Sequence, residues 1–132
     1  MPCFTVELRI EGETLVPERI SAELGLIPTM TRHAGDKRSA TSVYTQSLWA
    51  YSGDQPFAEW GSLEEGMSHL INKLAPVMSQ VMQYREEFGV YWWCGLFHES
   101  ADAETRLSAT ALAALGEWGI GFILKNYCSA CD

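Results

Sequence analysis

The sequence predicts an α+β fold: a largely antiparallel sheet with helices on one face, in the order β-α-β-β-α-β-α-β. Three observations carry it. Strict apolar–polar alternation over residues 4–11 has the period of a half-buried strand. An apolar stripe at three- and four-residue spacing runs from Leu63 to Val81, the period of a core-facing helix. Two further strand-like runs flank that helix, so the first six elements match a ferredoxin-like split βαβ unit, extended by one helix and one strand.

In the first strand Phe4, Val6, Leu8 and Ile10 face one way while Thr5, Glu7, Arg9 and Glu11 face the other, and Gly12 opens the turn. Pro17 suits the first position of a helix, where its missing N–H costs nothing. Ile20 and Leu24 then share a face. Gly25 ends the helix at 17–24, Leu26 can fold back towards Ile20, and Pro28 blocks a restart.

Residues 29–52 should form a hairpin or a pair of strands around a polar loop at 32–41, with Gly35-Asp36 near its centre. The segment 42–51, SVYTQSLWAY, is rich in β-branched and aromatic residues and reads as a strand. After a second loop, Ser62 and Glu65 form an S-x-x-E capping box at the head of the longest helix. Pro76 should kink that helix or split it in two, with fraying by Glu87 and a stop at Gly89.

Residues 90–98, VYWWCGLFH, are apolar on both faces, as in a central strand. A helix at 109–118 follows, opened by a Ser108 cap with a Leu107–Leu112 staple and ended by Gly119. Residues 120–127, IGFILKNY, close the chain as a strand. With no internal repeat and no low-complexity linker, residues 1–132 read as a single domain.

Of 132 residues, 47% are hydrophobic, enough for a sizeable core. Seventeen acidic residues against nine basic leave a formal net charge of −8, which disfavours nucleic acid and suits a basic partner. No apolar run is long enough to cross a membrane. The N-terminus lacks the apolar block of a signal peptide, making cytoplasmic residence the default. Cys3, Cys94, Cys128 and Cys131 are too scattered for a disulfide scaffold and should be free thiols. The close pair Cys128 and Cys131 has no second pair to complete a zinc site, so neither metal nor cofactor is expected.

The run L-G-L-x-P-T at Leu24–Thr29, Gly35, and a strand ending in Trp49 resemble a small bacterial family catalogued as domain of unknown function 4279. FTVELRI, Ser62-Leu63-Glu64-Glu65, VYWWCGLF and LSATAL extend the resemblance over nearly the whole chain. It implies a bacterial, single-domain α+β protein. The family's activity is not established, so no catalytic residues are carried over. Met30, His33 and the cysteine-bearing tail stand outside the pattern.

No catalytic motif is present. There is no G-x-S-x-G, H-E-x-x-H or phosphate loop. Two binding readings compete. In the first, a non-enzymatic, immunity-protein-like module docks a basic protein through an acidic surface near Glu86, Glu87, Asp102 and Glu104. In the second, Arg32, His33, Lys37 and Arg38 bind a small molecule or anion, aided by Trp49 or Trp60. A solvated loop and a tryptophan-rich core explain the same residues without any ligand.

Overall fold

A computed structural model describes residues 3–53, 60–99 and 104–128. Its strands are β1 (Cys3–Gly12), β2 (Met30–Arg32), β3 (Ser47–Tyr51), β4 (Gly89–Phe97) and β5 (Gly121–Tyr127). Its helices are α1 (Pro17–Leu24), α2 (Leu63–Leu74), α3 (Met78–Tyr84) and α4 (Ala109–Gly116). One five-stranded sheet runs in the order β2-β3-β1-β4-β5. Every pairing is antiparallel except β4 with β5.

The alternation in β1 sets the layers. Phe4, Val6, Leu8 and Ile10 pair with Leu96, Cys94, Trp92 and Val90 of β4, and Ile10 and Leu8 also pair with Trp49 and Tyr51 of β3. These residues share one buried cluster with Ile20 and Leu24 of α1, Met67 and Leu70 of α2, Val81 of α3, and Leu115 of α4. All four helices therefore pack on one face.

Local signals act where expected at most ends. Pro17 opens α1, and Gly25 closes it at φ 67° with its N–H on the Ser21 carbonyl. Leu26 packs back on the core. Thr29 then docks the chain: its N–H donates to the Ala50 carbonyl, and its Oγ1 lies 2.7 Å from Ser52 Oγ. Ser62 caps α2 by accepting from the Glu65 N–H. Pro76 sits in a 3₁₀ turn, Ala75–Val77, that separates α2 from α3. Ser108 caps α4, yet Leu112, the expected staple partner of Leu107, is 55% exposed.

Two further expectations change. The strand read at 42–51 begins only at Ser47. Residues 33–46 instead close on themselves, with Gly35 N–H donating to the Tyr44 carbonyl and Tyr44 N–H to that of Asp36. Strand-forming Val43 and Tyr44 spend their propensity inside this loop. Secondly, Cys94 and Cys128 are free, but Cys3 is disulfide-bonded. Register brings it into a neighbourhood the sequence conceals: Cys3 pairs with Phe97, which pairs with Tyr127 near the other chain end. Burial pushes the Cys94 thiol up to about 12, so it is a core residue and no nucleophile.

Candidate ligand-binding site

The sheet face opposite the helices presents a cross-strand row. Leu48 of β3 pairs with Arg32 of β2 on one side and with Glu11 of β1 on the other. Residues directly opposite in a sheet point to the same face, so these three side chains stand together. Leu48 is 2% exposed and forms a floor. Above it opens a cleft of about 400 Å³ whose rim is completed by Arg38, Tyr44, Thr45 and Gln46.

Arg32 is the unusual member. Its Cζ lies 4.5 Å from the centre of the Tyr44 ring, a cation–π distance. Its Nε is buried and has no hydrogen-bond partner. A buried, unsatisfied donor on a charged group is costly, and such groups call for an acceptor. Arg9, on the same face, shows the contrast. It donates from Nη2 to Glu7 Oε1 at 2.9 Å and lies 4.0 Å over the Trp93 ring, so its charge is already used.

The loop is braced from below. His33 Nε2 lies 2.7 Å from Glu18 Oε1 of α1, the His33 backbone N–H donates to Asp36 Oδ2, and Ala34 N–H donates to Ser47 Oγ. The hydrogen bond with His33 holds the Glu18 carboxyl below its usual range. His33 is thus a brace and not a cleft residue. Lys37 bridges to Val43 within the loop and does not line the cleft.

Neither tryptophan joins the site. Trp49 is wholly buried on the helix side and donates from Nε1 to Ser21 Oγ at 3.0 Å. Trp60 hydrogen-bonds through its backbone to Phe4 and lies 5.1 Å from His69, ring to ring. Phe4 and Glu11 are seven residues apart along β1, so Trp60 lies roughly 23 Å from the cleft. The row therefore gathers Arg32 and Arg38 and leaves out His33, Lys37, Trp49 and Trp60. It adds Glu11, Tyr44, Thr45 and Gln46. Glu11 had one signal in the sequence, its outward position in β1. Tyr44 had none, because its loop reads as strand.

The acidic residues lie elsewhere. Glu86 and Glu87 are exposed just after α3; Glu104 is 3.7 Å from Arg106 in an exposed pair, while Asp102 falls outside the described residues. Glu87 also lines a groove of about 380 Å³ between α1 and α3, with Arg19, Glu23, Gln80, Gln83 and Tyr84. There the Tyr84 hydroxyl donates to Glu23 Oε1 at 2.5 Å, and Arg19 donates to Glu23 Oε2 at 3.0 Å. The Tyr84 bond, then Arg19, hold the Glu23 carboxyl below its usual range. Burial and Glu23 hold the Tyr84 proton above the usual tyrosine range.

The pH dependence follows from these signs. Glu23's contribution is present above the ordinary carboxylate range and is lost as pH falls through its lowered value. Tyr84's persists below its ordinary value of 10 and is lost as pH rises through the raised one. Tyr84→Phe should therefore destabilise the protein at pH 7 and much less at pH 3. Urea unfolding at both pH values measures this; an equal deficit at both would refute the coupling.

No group of three or more His, Cys, Asp or Glu side chains able to hold a metal occurs among the described residues. Among them, also, no helix is long and apolar enough to cross a membrane. The family profile described as Domain of unknown function (DUF4279) matches residues 2–129, and the chain belongs to that family. No curated protein and no solved structure matches it.

Proposed function

We propose that this chain is a non-enzymatic binding module whose ligand site is the cleft over Leu48. A carboxylate or phosphate group would sit between Arg32 and Arg38, against Tyr44. One observation carries the reading: Arg32 and Arg38 line the same cleft, with the Arg32 guanidinium held against the Tyr44 ring and its enclosed Nε left without a protein partner. Planar, preorganised guanidinium groups suit such anions. The strand order supports a ferredoxin-like split βαβ core, β1 to β4, with α4 and β5 added at its edge.

Calorimetric titration with inorganic phosphate and glutarate tests the site. The double change Arg32→Ala, Arg38→Ala should weaken binding at least about tenfold, since hydrogen bonds to charged groups contribute about 1.5–3 kcal/mol each. Lys37→Ala, which removes a charge beside the cleft but not in it, should have little effect. Binding that survives the double change would sink the assignment.

A second reading keeps a protein partner. The exposed Glu86 and Glu87, beside a groove carrying Glu23, favour an immunity-protein-like surface for a basic protein. Recovery of one basic partner at low salt, lost on charge reversal at Glu86 and Glu87, would support it. A bacterial, cytoplasmic setting belongs to both readings and requires Cys3 to be reduced in the cell.

A further inference from the structure

Resting on the cleft reading above, we infer that the ligand is a zwitterion, its anionic end on Arg32 and Arg38 and its cationic end on Glu11. Register places the groups. Arg32, Leu48 and Glu11 occupy three adjacent strands on one face, so the outer two Cα atoms stand about 10 Å apart, two strand spacings. Between them lies the buried Leu48, and the apolar Val43 stands at the rim.

The charges do not cancel internally. Among the described residues no ion pair joins Glu11 to Arg32 or Arg38. Arg32 lies on Tyr44, and the loop hydrogen bond from Arg38 N–H to the Ser42 carbonyl fixes the backbone that carries the second guanidinium. Glu11 accepts a hydrogen bond from the neutral Tyr91 hydroxyl, whose proton burial and then the Glu11 charge hold beyond its ordinary range, so the carboxylate keeps its charge. A simple anion entering the cleft would meet the Glu11 carboxylate as well as the two arginines. A compound carrying an ammonium group beyond a short apolar spacer satisfies both ends and covers Leu48 between them. Opposed charges at two fixed points select by sign as well as by affinity.

A series of five-carbon compounds isolates the end groups: 5-aminopentanoate, pentanoate, glutarate and 1,5-diaminopentane, each titrated calorimetrically into the wild-type protein. The zwitterion should bind at least about tenfold more tightly than pentanoate or glutarate, the size of one charge-assisted hydrogen bond. Glu11→Gln should bring 5-aminopentanoate down to the level of pentanoate and strengthen glutarate. Glutarate or pentanoate binding as tightly as the zwitterion, with sensitivity to Arg32→Gln retained, would overturn the zwitterion and leave the anion cleft standing. Binding by no member of the series would overturn both.

Discussion

Trp49→Ala should cost about 3–5 kcal/mol, the range for truncating a large buried aromatic, a large share of the roughly 5–15 kcal/mol that holds a domain folded. Trp49 is fully buried, stacks on Tyr51 with ring centres 5.9 Å apart, and satisfies its indole N–H on Ser21 of α1. Its loss opens a cavity under β3 and removes a tie between sheet and helix. The contrast with Trp92 sharpens the expectation. Trp92 is equally buried and meets Trp118 edge-on at 5.3 Å, but its Nε1 has no partner. Trp92→Phe leaves a small cavity yet removes an unsatisfied donor worth about 1–3 kcal/mol. It should therefore be close to neutral. Trp49→Phe, which strands Ser21, should be clearly destabilising. Urea unfolding of the two phenylalanine variants decides this; equal losses would mean that indole satisfaction does not distinguish the sites.

Gly119→Ala should cost about 2–4 kcal/mol. Gly119 sits at φ 61°, where a side chain is disfavoured by about 1–2 kcal/mol. A Cβ there would also collide with Arg85 Nη1, which donates to the carbonyls of Trp118 and Gly119. The guanidinium can swing aside, but only by giving up those bonds, each contributing about 1 kcal/mol. These terms are coupled. Arg85→Ala should cost less than Gly119→Ala, and the double variant should fall short of the sum. Additive losses in thermal or urea unfolding would show that Arg85 does not hold the Trp118-Gly119 turn that follows α4.

Local chemistry made most of the framework legible. The alternation in β1, Pro17 with Gly25, Ser62 with Glu65, and the break at Pro76 each act through neighbouring residues, and each is visible as a spacing. What stayed hidden depends on register. Nothing along the chain says that Leu48 lies between Arg32 and Glu11, because that row joins residues from three strands. The same blindness hid the disulfide of Cys3, which depends on which strand ends lie side by side. Residues 42–46 misled for another reason. Val43 and Tyr44 have strand propensity, but closure of the loop from Asp36 to Tyr44 uses their backbone groups before the sheet can. The basic cluster was visible as composition. Its division into two cleft arginines, one brace and one bystander was not.

The cleft reading stands on ligand binding by the Arg32 guanidinium, whose Nε has no protein partner. The Arg32 side-chain Nε–H resonance, followed by ¹H–¹⁵N NMR while wild-type protein is titrated with 5-aminopentanoate, tests it most directly. This resonance should shift saturably, together with the backbone amides of Tyr44, Thr45 and Gln46, while those flanking Trp60 stay fixed. An Arg32 signal that stays put through the titration, or shifts confined to the Trp60 end of the sheet, would contradict it.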